Sequence, residues 1–177
     1  QVGAKPYKVW HTEKNLGSPD LVIIPGGFSY GDYLRSGAIA RFSNIMEDII
    51  SYAKNGGLVV GICNGFQILC ESGLLPGVLI RNDSLQFRCQ DTFLKLNDNV
   101  IDSPFLNSIN KTSSLKIPIS HGSGNYFADE STVKELLNNN RIAFQYSNQN
   151  GLIDNIYNPN GSVENIAGIL NEHGNVL

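Results

Sequence analysis

The stretch GLVVGICNGFQILCESG, residues 57–73, decides the fold of this chain. Its first part is a short apolar run rich in β-branched residues, which is typical of a buried strand. After Cys63 the apolar residues follow helical spacing, and the pattern ends at Gly73, a residue type that often closes helices. The stretch therefore predicts a buried strand that passes at once into a helix from Asn64 to about Ser72.

A second strand and helix precede this stretch. The segment DLVIIPGGF, residues 20–28, is an apolar run closed by a tight glycine loop, and the loop SYGDYLRSG, residues 29–37, follows it. From Ala38 to about Lys54 the apolar residues recur at helical spacing. The order strand, helix, strand, helix predicts a parallel sheet with right-handed crossovers.

Beyond Pro76 the apolar runs become shorter and are separated by turn residues, which predicts added strands, some of them antiparallel. One more helix is predicted in DESTVKELLNN, where Asp129 or Ser131 serves as the N-terminal cap. The Asn-rich stretch 147–165 is interpreted as a surface loop. The whole chain, 1–177, is predicted to be a single α/β domain with an open, mostly parallel sheet flanked by helices.

Composition excludes several classes of protein. A hydrophobic fraction of 41% with 16% charged residues is ordinary for a globular protein, and no apolar run is long enough to cross a bilayer. A net charge of -3 without a basic cluster disfavours nucleic acid as a partner. Three cysteines without CxxC spacing indicate neither disulfides nor a metal site, so we expect a reduced, cytoplasmic protein.

The sequence G-I-C-N-G has the form of a nucleophile elbow, with Cys63 at its centre. A sharp strand-to-helix turn leaves room only for small residues two positions before and after the nucleophile, which explains Gly61 and Gly65. The helix start favours a thiolate, and the N–H of Asn64 is directed at a developing oxyanion. The alternative is a cysteine that only packs in the core, and we prefer that interpretation for Cys70 and Cys89. We reject it for Cys63, because Gly61 and Gly65 flank that residue.

A second oxyanion donor is predicted in the loop Gly26-Gly27-Phe28, because the carboxyl ends of parallel strands meet at one sheet edge. A phosphate loop or a plain tight turn is the alternative, since a glycine pair alone is a weak signal.

A thiolate that transfers acyl groups normally needs a base, and the chain has three histidines. His11 and His173 are interpreted as exposed polar residues. His121 ends an apolar strand and opens a glycine-containing loop, which makes it a candidate base. A histidine satisfied by local hydrogen bonds is an equally good interpretation of His121.

Four segments carry a resemblance to a known family: IPGGFSYGDYLRSGAIARF, GICNGFQILCESGLLPG, ISHGSGNYF and NGSVENIAGILNEHGNVL. They closely resemble the glutaminase subunits of bacterial phosphoribosylformylglycinamidine synthase, which are triad-type (class I) glutamine amidotransferases of purine biosynthesis with a flavodoxin-like sheet. The resemblance runs from about Val9 to Leu177 and is specific to this subunit.

The resemblance implies roles for individual residues. Cys63 would attack the side-chain amide of glutamine and form a glutamyl thioester that water resolves. Gly27 and Asn64 would supply the oxyanion-hole N–H groups, and Gln67 would bind the amino-acid end of the substrate. The loop residues Ser120, Gly122 and Ser123 would line the glutamine pocket, so His121 would not be the base.

The resemblance also implies partners. Ammonia would pass to a large synthetase subunit, which binds ATP and Mg and converts formylglycinamide ribonucleotide to formylglycinamidine ribonucleotide. A small accessory subunit completes the complex, and no cofactor or metal is expected on this chain.

In the family the catalytic His and Glu lie in an M-P-H-P-E-R segment after the strand that resembles NEHGNVL, and a further strand precedes the first one seen here. We therefore expect this chain to be a fragment lacking both ends, with an exposed sheet edge and apolar surface. One alternative to a glutaminase subunit is a non-catalytic or damaged fragment of it. The second alternative is another cysteine hydrolase of the same broad fold. Asn64 argues against that one, because such relatives often have His directly after the cysteine.

Overall fold

The computed structural model describes residues 3–32 and 34–177. Residues 1 and 2 of the predicted domain, and residue 33 of the predicted loop 29–37, lie outside the described part. Strands β1 (Leu21–Ile24) and β2 (Leu58–Gly61) pair in parallel, as their order in the sequence predicts. On the other side of β2, Val176 forms a parallel bridge with Val59. The end of the described chain therefore adds a third parallel segment to this small sheet.

The helices are α1 (Asn44–Lys54), α2 (Asn64–Glu71) and α3 (Glu130–Asn138). The helix expected from Ala38 is divided, because Ser43 is extended, with φ −62° and ψ 143°, between a short 3-10 turn and α1. Asp129 caps α3, with its carboxylate accepting from the backbone N–H of Thr132 at 2.8 Å. Among the described residues, no helix has the length and apolarity that crossing a membrane requires.

The predicted added strands are antiparallel. They form a four-stranded sheet in the order β5-β4-β7-β8, and two further short strands, β3 and β6, pair separately. The bounds are β3 Val78–Ile80, β4 Arg88–Leu96, β5 Leu115–His121, β6 Asn125–Phe127, β7 Ile142–Ser147 and β8 Ile166–Ile169.

The α/β class is confirmed, but the parallel part of the described sheets is smaller than expected. Parallel pairing needs a long crossover for each strand, whereas most of the short runs after Pro76 are joined by turns or loops that reverse the chain.

The core has a larger and a smaller cluster, which meet at β7. Ile142 belongs to the cluster that packs α1 and α2 against the parallel strands. Its neighbour Ala143 points to the other face and packs with Leu96, Leu106 and Leu170. Because successive strand side chains alternate, β7 contributes to both clusters.

Strand β1 leaves apolar surface uncovered. Val22 and Ile24 are buried, whereas Leu21 is 41% exposed and Ile23 is 56% exposed. The described part of the chain therefore leaves one apolar face of β1 exposed.

Two expectations about surface and core need correction. Residues 149–156 of the Asn-rich stretch are mostly exposed, as predicted, but Asn160 near its end is 0% exposed, because its amide is satisfied by hydrogen bonds inside the protein. Cys89 is exposed rather than packed, since it lies near the open end of β4, where that strand pairs only with β5. Cys70 is buried, as predicted.

Candidate active site

Cys63 lies at the turn between β2 and α2, as predicted for an elbow. Its backbone has φ 52° and ψ −104°, a conformation that non-glycine residues rarely adopt. The side chain is exposed, and α2 begins at the next residue. A strained residue that presents a thiol at a helix start is the arrangement expected of a nucleophile.

The two flanking glycines are required by close backbone contacts. A Cβ on Gly61 would lie 2.6 Å from the carbonyl carbon of Gly65. A Cβ on Gly65 would lie 2.8 Å from the carbonyl carbon of Ile24 and still closer to its oxygen. The steric reason given for these glycines from the sequence is therefore present in the structure, with β1 as the element that Gly65 approaches.

The glycine loop after β1 lies beside the elbow. At Gly26, a Cβ would be 3.5 Å from the Cβ of Cys63. Gly27 follows with φ 153°, and the space on the side where its Cβ would stand is open. The structure thus brings the glycine loop, in which the second oxyanion donor is predicted, to the same turn as Cys63.

A polar bridge joins three segments around the elbow. The side-chain oxygen of Asn64 accepts from the N–H of Ser29 at 3.3 Å, and its Nδ2 donates to Oε1 of Gln67 at 2.7 Å. Nε2 of Gln67 then donates to the carbonyl oxygen of Ser123 at 2.8 Å. Asn64 and Gln67 are both buried, so this bridge fixes the glycine loop and the β5–β6 loop relative to α2.

A cavity of about 180 Å³ opens beside this bridge. Cys63 and Gln67 line it from the elbow, while Ser120, His121 and Ser123 line it from the end of β5 and the following loop. Gly122 stands between these lining residues, with its carbonyl oxygen accepting from the N–H of Asn82 at 3.0 Å. The rest of the wall is mainly apolar and includes Ile62, Phe66, Leu94, Ile117, Ile119 and Ile166.

Sequence reasoning missed Tyr146 and Asn160. Tyr146, buried on β7, lines the same cavity as Cys63, and its hydroxyl oxygen lies 3.0 Å from Nδ2 of Asn160. Burial raises the pKa of Tyr146 to about 12, with the charge of Cys63 adding to the shift and the Asn160 bond opposing it. The turn-forming residues around Asn160 indicate a surface loop, so the sequence carries no signal for this pair beyond the alternation of β7.

His121 lies in the cavity wall but is held by Asn82. Nδ2 of Asn82 donates to the carbonyl oxygens of Gln86 and His121, so its Oδ1 is the acceptor that faces Nδ1 of His121 at 3.2 Å. Nδ1 is accordingly the protonated ring nitrogen. Nε2 is buried with no hydrogen-bond partner among the described residues, close under Gly124, where a Cβ would lie 2.5 Å from it.

Burial lowers the pKa of His121 below its ordinary value of 6.5, which favours the neutral ring. Because unfolded His121 takes up a proton more readily than folded His121, we expect the free energy of unfolding to fall as the pH drops below 6.5. Urea unfolding at a series of pH values should show a shallower acid-side decline for His121→Gln than for wild type. Equal slopes for His121→Gln and wild type would contradict this prediction.

The two remaining histidines are not among the residues that line the cavity. His11 and His173 are exposed, as predicted, and Nδ1 of His11 lies 3.0 Å from the hydroxyl of Tyr30. Within residues 3–32 and 34–177, His, Cys, Asp and Glu form no group of three or more that is suited to hold a metal ion.

A cysteine on a strained strand-to-helix turn, a neighbouring glycine loop and an adjacent cavity on an α/β fold define a cysteine-dependent acyl-transfer enzyme, the class that includes glutamine amidotransferases. The family model of the CobB/CobQ-like glutamine amidotransferase domain matches residues 7–177. Phosphoribosylformylglycinamidine synthase subunit PurQ of Salinibacter ruber is 54% identical over 168 residues, which cover 95% of this chain and 71% of the relative. The chain therefore belongs to the glutamine amidotransferases, and within them to the PurQ family of phosphoribosylformylglycinamidine synthase subunits.

Further relatives agree with this membership. PurQ of Moorella thermoacetica is 54% identical over 169 residues, covering 96% of this chain and 71% of the relative. A chain in the solved structure of PurLQS from Thermotoga maritima is 43% identical, with a TM-score of 0.73. That match covers 89% of this chain and 65% of the solved one, so the chain spans less than two thirds of the solved relative. The family recognised from the sequence motifs is confirmed.

Proposed function

We propose that this chain hydrolyses the side-chain amide of L-glutamine as the glutaminase subunit of phosphoribosylformylglycinamidine synthase. The Sγ of Cys63 attacks the amide carbon, the C–N bond breaks with a proton passing to the leaving nitrogen, and ammonia departs. Water then cleaves the thioester to give glutamate and the thiol. The observation that carries the proposal is the position of Cys63, on a strained elbow at a cavity.

The oxyanion of each tetrahedral intermediate is stabilised by the N–H groups of Asn64 and Gly27. Support comes from the helix start at Asn64 and from the approach of the glycine loop to Cys63. Gln67 binds the amino-acid end of glutamine, and Ser120, Gly122 and Ser123 line the pocket for that substrate. Three of the four line the cavity, and the bridge from Gln67 to Ser123 holds that wall in place.

In the family that this chain resembles, the base and its carboxylate partner lie after the strand that corresponds to residues 171–177. Strand register supports this position, because the carbonyl oxygen of Leu177 accepts from the N–H of Gly61 at 2.8 Å. A chain continuing from Leu177 in the direction of β2 runs toward the sheet edge where Cys63 stands.

Ammonia passes from this chain to a large synthetase subunit that carries ATP and Mg, and a small accessory subunit completes the complex. The relatives named as synthase subunits and the PurLQS assembly support these partners. No cofactor is proposed on this chain. A reducing compartment such as the cytoplasm suits an enzyme that depends on an exposed thiol.

The covalent intermediate gives a direct test. The full-length chain, assembled with its synthetase partner, is mixed with L-glutamine and quenched in acid within the first turnovers. Mass spectrometry of the peptide that contains Cys63 should show an added glutamyl group, and that mass should be absent when L-glutamine is omitted. Release of glutamate from the wild-type complex without any adduct on Cys63 would contradict the proposed chemistry.

A further inference from the structure

Tyr146 is a buried residue of the cavity wall, and no step above uses its hydroxyl. Tyr146 is only 6% exposed and lines the cavity together with Cys63, which is exposed. The two side chains are close enough for the charge of Cys63 to act on the phenol. A ligand that reaches from Cys63 into the cavity therefore extends toward Tyr146.

Asn160 determines which way the phenolic proton points. The Oδ1 of Asn160 accepts from the N–H of Ser162 at 3.1 Å and from its hydroxyl at 2.7 Å, so the orientation of the amide is fixed. Its Nδ2 donates to the carbonyl oxygen of Gly124 at 2.8 Å and to the hydroxyl oxygen of Tyr146 at 3.0 Å. Because that contact uses Tyr146 as an acceptor, its own O–H is directed elsewhere. Burial keeps this group protonated at neutral pH, so it acts as a donor.

The rest of the cavity offers few hydrogen-bond donors for a bound carboxylate. Its described lining contains no lysine or arginine, and it is mostly aliphatic. The amide oxygen of Gln67 accepts from Asn64 and one N–H of its Nε2 donates to Ser123, so Gln67 has a single N–H left for the substrate. A carboxylate that enters an apolar cavity is costly unless hydrogen-bond donors satisfy it, and neutral donors must do so where no cation is available.

We propose that Tyr146 is a substrate-binding residue that donates its hydroxyl to the α-carboxylate of glutamine, with Asn160 positioning that hydroxyl. The inference rests on the proposed function, in which the amide carbon of glutamine meets Cys63. With the amide held there, the opposite end of the amino acid lies at the buried side of the cavity, where Tyr146 stands.

A matched control exists in the same chain. Tyr126 is another buried tyrosine, and its hydroxyl donates to the carbonyl oxygen of Pro76 at 2.9 Å. It is not among the residues that line the cavity. Tyr126→Phe and Tyr146→Phe each remove one hydroxyl from a buried ring, but only Tyr146→Phe changes the cavity wall.

The test is steady-state glutaminase kinetics of the full-length chain in complex with its synthetase partner. A lost hydrogen bond to a charged group should raise KM for L-glutamine at least about tenfold in Tyr146→Phe, with kcat within about twofold of wild type. Tyr126→Phe should leave both constants unchanged. An unchanged KM in Tyr146→Phe, or a fall in kcat at constant KM, would overturn the inference.

A binding measurement without turnover covers the case in which the variant is poorly active. L-glutamate carries the same α-carboxylate and should protect Cys63 from iodoacetamide, as followed by mass spectrometry of its peptide. Tyr146→Phe should need at least about tenfold more L-glutamate for half protection. Its alkylation rate without glutamate should match wild type, which shows that the elbow is intact.

The two proposals fail in different ways. If the wild-type complex does not hydrolyse L-glutamine, the proposed function is wrong, and the role of Tyr146 falls with it. If the wild-type complex is active and Tyr146→Phe behaves like Tyr126→Phe in both measurements, only the role of Tyr146 is wrong.

Discussion

Cys63→Ala should abolish glutamine-dependent synthesis by the complete complex, by on the order of a thousandfold or more. The thiol is the only group of this chain proposed to form a covalent bond with the substrate, and alanine provides no nucleophile. Synthesis from added ammonium salts should continue at the wild-type rate, because that route bypasses the cavity beside Cys63. The measurement is product formation by the reconstituted complex with either nitrogen source.

The control for this variant is Cys89→Ala. Cys89 is also an exposed thiol, but it lies on β4 and is not among the residues that line the cavity. We expect Cys89→Ala to use glutamine like wild type. Equal glutamine-dependent rates for Cys63→Ala and wild type would refute the role of Cys63, and loss of ammonia-dependent synthesis would show that the variant had damaged the assembly instead.

Gly65→Ala should destabilise the protein by about 3 kcal/mol and remove glutaminase activity. Its Cβ would stand 2.8 Å from the carbonyl carbon of Ile24 and closer to the oxygen, so α2 and β1 must move apart. Neither neighbour is a flexible side chain, since the contacts are with backbone. The free energy of unfolding from urea titrations measures the first effect, and glutamate release by the complex measures the second.

Gly122→Ala is the matched comparison for stability. A Cβ there would meet only the side chain of Phe87, at 3.7 Å, which is an ordinary contact. We expect its free energy of unfolding to stay within about 1 kcal/mol of wild type. If Gly65→Ala were as stable as Gly122→Ala, the close approach of α2 to β1 would not be the reason for glycine at this position.

The elbow could be predicted from the sequence because its causes are local. The apolar run of β2, the turn at Cys63 and the start of α2 lie within a few residues of each other, and their order requires glycine on both sides. The parallel pairing of β1 with β2 also follows from element order. The capped helix α3 and the presence of added strands after Pro76 follow from local patterns for the same reason.

Longer-range contacts could not be predicted in this way. The short strands β3 and β6 pair across more than one intervening element, and each has only three residues, too few for a periodic signal. Asn160 lies among turn-forming residues, so the sequence predicts that it is exposed. Its burial depends on the carbonyl oxygen of Gly124 and the hydroxyl of Tyr146, which are distant in sequence.

The surroundings of His121, within the candidate site, could not be predicted from the sequence either. Its position at the end of a strand, beside glycines, suggested a candidate base or a locally satisfied residue. The structure places it in the wall beside Cys63, with Nδ1 facing Asn82 and Nε2 buried under Gly124. Neither the tautomer nor the accessibility of a ring nitrogen follows from spacing, because both depend on how the loops that carry Asn82 and Gly124 pack around the ring.

The sequence by itself determined the class of fold, the elbow and the family, because these depend on residue patterns within short segments. Only the tertiary structure decided what faces the thiol across the cavity. The bridge from Ser29 through Asn64 and Gln67 to Ser123, and the pair Asn160 and Tyr146, join segments that are far apart in the chain. Hydrogen bonds between such segments form only after the strands and helices have packed, so no local pattern encodes them.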